Sequence, residues 1–185
     1  MRIAVYSGSF NPLHVGHLAI MRTLSAWEGA DWTYLVVSPQ NPLKDPEAAR
    51  TARDRYRAAL AALRRHPELR VWLDDIELRM PPPSYTIHTL DTLHRQEPGS
   101  EFTLVIGGDN LAAIRRWKDY GRILREYGVA VYPRTGFDSV ALRAELLEED
   151  PSYRVTLLEC PLVDISSTQI REATGRGEDM SKYLM

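Results

Sequence analysis

Six short runs of β-branched and aromatic residues recur along the 185-residue chain and alternate with longer stretches of helical spacing. This alternation leaves few folds open. The runs are Ile3–Tyr6, Thr33–Ser38, Val71–Leu73, Phe102–Ile106, Val129–Tyr132 and Val155–Leu158. Most are continuous or nearly continuous apolar segments, as strands covered on both faces require. Between them, His17–Trp27 carries Leu18, Met21, Leu24 and Ala26, and Thr51–Arg65 carries Tyr56, Leu60 and Leu63. Thr86–Arg95 carries Ile87, Leu90 and Leu93, and Ser139–Glu149 carries Leu142, Leu146 and Leu147. Such spacings are the apolar stripes of surface helices. Together these elements predict an α/β fold, a doubly wound Rossmann-like parallel sheet, within a single domain spanning residues 1–185. In that architecture ligands bind beyond the carboxyl ends of the strands, where strand order reverses.

Composition narrows the partners. With 23 Lys+Arg against 25 Asp+Glu and a net charge of -2, no dominant nucleic-acid surface is expected, although a local basic pocket for phosphates is compatible. No apolar run approaches the ~18 residues of a membrane span, and the N-terminus lacks the apolar core of a signal peptide. The single Cys160 excludes an internal disulfide and a cysteine-based zinc cluster, and it fits a reducing cytoplasm. Pro81-Pro82-Pro83 reads as a rigid loop.

After the first strand comes Gly8-Ser9-Phe10-Asn11-Pro12-Leu13-His14-Val15-Gly16-His17. Gly8, Ser9, Asn11 and Pro12 suit an abrupt loop whose small residues let main-chain N–H groups approach an anion. His14 and His17, three apart on an opening helical turn, can share one face beside the positive helix end, with Gly16 leaving the space between the rings open. Two such histidines are also compatible with a solvated helix face. A zinc site lacks a third ligand. The order strand, small-residue loop, helix start favours phosphate binding, although neither the P-loop pattern nor the dinucleotide fingerprint is present.

A second segment, Ile165-Ser166-Ser167-Thr168-Gln169-Ile170-Arg171, places Ser166 as N-cap and Gln169 three residues on, a capping box. The minimal reading is a well-capped helix. The functional one adds the free N–H groups, the Ser167 and Thr168 hydroxyls, and Arg171 one turn on as a bidentate phosphate ligand.

With His14-Val15-Gly16-His17 and Ile165–Arg171 in hand, the chain resembles the His-x-Gly-His nucleotidyltransferases, and more narrowly the bacterial nicotinate mononucleotide adenylyltransferases. Four further segments carry the narrower match: Asn41-Pro42-Leu43-Lys44, Ser84-Tyr85-Thr86, Gly107-Gly108-Asp109-Asn110-Leu111, and Trp117. Leu13 stands where the family often has Pro, which bears on loop stiffness rather than on chemistry.

The resemblance implies transfer of AMP from ATP to nicotinate mononucleotide in NAD biosynthesis, with release of pyrophosphate. It implies His14, His17, Lys44 and Arg171 as catalytic residues. Gly8, Ser9, Phe10, Gly107, Asp109, Ile165, Ser167 and Thr168 would join the two histidines and Arg171 around ATP, with Asp109 on the ribose. Asn11, Lys44, Tyr85, Thr86 and Trp117 would hold the nicotinate nucleotide, Trp117 by stacking and the helix start at Tyr85-Thr86 through its carboxylate. Mg²⁺ would ride on the ATP phosphates rather than in a protein cage. Homo-oligomerisation is left open. Competing readings are an enzyme preferring nicotinamide mononucleotide, a phosphopantetheine adenylyltransferase or glycerol phosphate cytidylyltransferase, and a non-catalytic nucleotide-binding module.

Overall fold

A computed structural model describes residues 1–39 and 47–185, with residues 47–50 described by their backbone alone. The elements follow in the order β1 (Arg2–Gly8), α1 (Val15–Ala26), β2 (Trp32–Val37), α2 (Glu47–Leu63), β3 (Val71–Asp74), α3 (Ile76–Arg79) and α4 (Thr86–Gln96). There follow β4 (Glu101–Gly107), α5 (Gly108–Ala113), α6 (Tyr120–Arg122), β5 (Val129–Tyr132), α7 (Ser139–Glu149), β6 (Val155–Leu157) and α8 (Ser167–Gly175). All six expected strands are present within two residues of their expected ends.

The strands form one sheet in the order β3-β2-β1-β4-β5-β6, and every neighbouring pair is parallel. From β1 the chain winds outward to β3, then returns to β4 and winds the other way to β6. The reversal lies between β1 and β4, so the loops leaving Gly8 and Gly107 open side by side.

Alternation along β1 sends Ile3 and Val5 to one core and Ala4 and Tyr6 to the other. The first core receives Ile87, Leu90 and Leu93 of α4, each no more than 1% exposed. The second receives Leu18, Met21 and Leu24 of α1. Each such side chain contributes ~1.5–3 kcal/mol of transfer free energy, which is what fixes both helices against the strands.

Three local expectations change. Helix α1 begins at Val15 with His14 as its N-cap, so both histidines belong to the capping structure. Ala26 at its far end is exposed. On α2 the buried face is Ala52, Arg55, Ala59 and Ala62; Tyr56 and Leu63 of the expected stripe pack half-buried against the second core, while Leu60 is 36% exposed. Small residues bring α2 close to the sheet, and a stripe read from large side chains misses that. The short α3, α5 and α6 escape periodicity because they span fewer than two turns. Among the described residues no helix is long and apolar enough to cross a membrane.

Candidate active site

The loop from Gly8 to His14 turns through Phe10, which has a φ of 45° and is only 4% exposed. Left-handed backbone costs a non-glycine residue ~1–3 kcal/mol and persists where surrounding structure enforces it. Here the Phe10 ring meets Tyr6 edge-on at 5.3 Å and His17 edge-on at 5.2 Å between centroids. Phe10 therefore lies beneath His17 as a support.

The two histidines cap α1 reciprocally. Nδ1 of His14 accepts from the Gly16 N–H at 3.1 Å, and Nδ1 of His17 accepts from the His14 N–H at 3.2 Å. With both Nδ1 atoms accepting, the neutral rings carry their protons on Nε2. Among the described residues neither Nε2 has a hydrogen-bond partner, and both rings line a cavity of about 560 Å³. Burial, then the nearby Arg134 charge, lowers the His14 pKa to about 4. Burial, then His14 and Arg134, lowers that of His17 to about 3. These are neutral donors at pH 7.

The second segment forms as its residues indicate. Ser166 accepts from the Gln169 N–H at 3.2 Å, the Gln169 side chain accepts from the Ser166 N–H at 2.7 Å, and α8 begins at Ser167. This helix start is stapled to the first loop. The Ser167 hydroxyl donates to the Pro12 carbonyl at 3.0 Å, and Arg171 donates to the Asn11 carbonyl at 2.6 Å and to the Thr168 hydroxyl at 3.1 Å. Ile165, Ser166 and Ser167 line the same cavity as the histidines. Arg171 and Thr168 stand just outside that lining and brace its wall.

The third wall comes from the ends of β4 and β5. Asp109, in the first turn of α5, lies 3.5 Å from the Arg134 guanidinium, and both line the cavity. A methyl group on Gly107 would stand 2.4 Å from the Asp109 carboxylate and 3.0 Å from both Tyr132 and Arg134, so this position must lack a side chain.

A smaller cavity of about 290 Å³ opens beside the ends of β1 and β2, lined by Ser7, Ser38, Pro39, Glu77 and Pro83 to Thr86. It brings Tyr85 and Thr86 together at the start of α4, which has no side-chain cap and no acidic residue in its first turn. Buried Glu77 accepts from Ser7 at 3.2 Å and Thr89 at 2.9 Å. Trp117 lines neither cavity; half-buried, it packs on the first core at the end of a 3₁₀ turn. Its neighbour Lys118 sits 4.7 Å over the Tyr85 ring, which brings the Trp117 loop beside this second cavity. Lys44, with Asn41 to Leu43, lies outside the described residues.

A cytidylyltransferase-like family model matches residues 5–173, a span that holds both motifs and every strand end around the cavities. A Bacteroides fragilis protein designated probable nicotinate-nucleotide adenylyltransferase is 38% identical over 183 residues, covering 99% of this chain and 87% of that protein. The chain belongs to the nicotinate-nucleotide adenylyltransferase family. The cytidylyltransferase-like match places that family in the wider group to which the His-x-Gly-His resemblance pointed. The counterpart of the same designation from Cytophaga hutchinsonii is 38% identical over 185 residues, covering 100% of this chain and 91% of that one. Among solved structures, the Plasmodium falciparum nicotinic acid mononucleotide adenylyltransferase complexed with NaAD is similar in fold, with a TM-score of 0.76 at 18% identity over 99% of this chain and 90% of that one.

For this nicotinate-nucleotide adenylyltransferase family member, sequence reasoning missed Arg134, Tyr132 and Glu77. The available signal was positional: Tyr132-Pro133-Arg134 leaves the carboxyl end of a strand, where this architecture builds its sites.

Proposed function

We propose that this chain transfers the adenylyl group of ATP to nicotinate mononucleotide, as one domain over residues 1–185, in the cytoplasm. The main cavity receives ATP and the smaller one the pyridine of the second nucleotide. The observation that carries this reading is the staple between loop and helix, Ser167 to Pro12 and Arg171 to Asn11, which makes one phosphate cradle from segments 155 and 160 residues apart.

The chemistry fits the groups present. The phosphate of nicotinate mononucleotide, with a second pKa near ~6, is already dianionic at pH 7 and needs no general base. Its oxygen attacks the α-phosphorus, the bond to the bridging α,β oxygen breaks, and pyrophosphate leaves with those electrons. The task is to position two polyanions and stabilise the charge that develops on the leaving group. His14 and His17 donate through Nε2, with His17 nearest the α,β bridge. Arg134, Arg171 and the α8 N-terminus hold the β and γ phosphates, Asp109 takes ribose hydroxyls, and Lys44, which lies outside the described residues, is assigned to the phosphates near the nucleotide junction. Among the described residues no cluster of three or more His, Cys, Asp or Glu gathers, and Asp109 is turned to Arg134. Magnesium therefore fits as part of the MgATP substrate. The reading calls on no nucleic acid, membrane or second copy of the chain.

At the smaller cavity, the uncapped start of α4 favours the nicotinate carboxylate. A second reading, preference for the amide, draws on Glu77, whose charge in the same cavity opposes another carboxylate. Pyrophosphate release from MgATP with each mononucleotide separates them. Turnover at least ~10-fold better with the acid supports the first reading, and the reverse order establishes the second. No release with either overturns both.

A further inference from the structure

Arg55 on α2 is the one Lys or Arg among the described residues that is buried, at 6% exposure. Several other arginines end on carboxylates, as Arg122 does on Asp91 and Glu126, and others that donate to carbonyls, such as Arg70 and Arg143, are exposed. Arg55 meets none among the described residues. Its Nη1 donates to the Ser38 carbonyl at 2.9 Å and to the Ser9 carbonyl, while Nε and Nη2 are buried without a hydrogen-bond partner among the described residues. A buried full charge facing only carbonyl dipoles is costly, so its retention calls for an anion elsewhere.

Its position indicates which anion. Ser9 belongs to the loop that leads to His14 and His17, and Ser38 lines the smaller cavity. The guanidinium thus ties the loop leading to the histidines to the chain leaving β2 beside the smaller cavity, which the adenylyl-transfer reading gives to the second nucleotide. From a water-excluded place a charge is screened far less than from the surface.

We propose that Arg55 is a positioning residue for adenylyl transfer: its buried positive charge pins Ser9 and Ser38 and supplies the potential that offsets the two converging phosphates. This rests on the adenylyl-transfer reading. It also explains why the α2 face is lined with alanines, since Ala52, Ala59 and Ala62 bring the helix close enough for Arg55 to reach both carbonyls.

The test uses the full chain with MgATP and nicotinate mononucleotide. Arg55→Gln keeps a donor and loses the charge; its kcat/KM should fall on the order of 10–100-fold with an unchanged far-UV circular dichroism spectrum. Arg55→Lys keeps the charge; it should recover to within about 3-fold of wild type at pH 7. It should also gain an alkaline limb in kcat/KM below pH ~10, as the buried ammonium loses its proton. Near-normal activity of Arg55→Gln, no advantage of Lys over Gln, or no alkaline limb in Arg55→Lys overturns the proposal. If Arg55→Gln does not fold, the pH profile of Arg55→Lys decides alone. Absence of pyrophosphate release by the wild type counts against the transfer reading instead. In that event the ATP Kd of Arg55→Gln relative to wild type decides for Arg55, a loss under about 3-fold overturning the proposal.

Discussion

The rings of His14 and His17 lie against each other with their centroids 3.7 Å apart and their planes tilted by 32°, and each ring accepts a main-chain N–H through Nδ1. A capping box is usually built from Ser or Thr and Glu or Gln. Here two histidines perform that task, so closing the helix start also fixes tautomer and ring orientation at the cavity. The pair of rings at the cavity and the N-cap of α1 are one structure.

Both histidines should stay neutral through the physiological range. Folded values of about 4 and about 3, against 6.5 for the free side chain, mean that the unfolded chain binds more protons between these limits. Stability from this source is fully present above pH ~6.5 and is lost as pH falls toward the folded values. Imidazole ¹⁵N spectra should show Nε2–H tautomers with no titration from pH 8 to 5.5. A midpoint near 6.5 for either ring would contradict the capping arrangement.

Gly16 is a second handle on the same structure. A methyl group there would lie 2.9 Å from Cε1 and 3.0 Å from Nδ1 of His14. Gly16→Ala should displace that ring, break the cap at a cost of ~1 kcal/mol, and lower kcat by about 10-fold or more. Steady-state kinetics alongside thermal denaturation would check both effects.

His17→Ala removes the donor that the proposed function assigns to the leaving group, as well as half of the cap. The loss should fall mainly on kcat, on the order of 10²–10³-fold, with KM for ATP changed far less. Equal turnover in wild type and variant would remove His17 from the transferring phosphoryl group.

Arg134→Ala should act in two ways. Losing its charge weakens triphosphate binding, so KM for ATP should rise about 10-fold or more. It also removes a cation that depresses both histidines, so their pKa values should move upward. Isothermal titration with ATP and the ¹⁵N spectra read these separately. A variant with tight ATP binding and unmoved histidines would place Arg134 outside the cradle.

Arg171 and Ser167 report on the staple. Arg171→Ala loses the tie to Asn11 and its bond to Thr168, and kcat/KM should drop by about 10–100-fold. Ser167→Ala removes only the hydroxyl bond to Pro12 and should cost about 10-fold or less. A larger effect for Ser167→Ala than for Arg171→Ala would reverse the assignment of the phosphate ligand.

Local signals in the sequence were sufficient wherever a feature depends on neighbours a few residues apart. The α4 stripe of Ile87, Leu90 and Leu93, the Ser166–Gln169 capping box and the six strands are of this kind, whereas the switch point between β1 and β4 exists only once strands remote in the chain have paired. Alternation alone determined a parallel sheet, since helices between successive strands leave room for little else. Tertiary structure decided the rest, because burial and electrostatics are sums over residues remote in the chain. Phe10 adopts its left-handed backbone only because Tyr6 and His17 close around its ring. Arg55, one of 23 cationic residues in the sequence, becomes singular only when α2 docks on Ser9 and Ser38. Arg134 lowers the histidines through a field across more than a hundred residues of chain, which no pattern in the His14–His17 segment encodes.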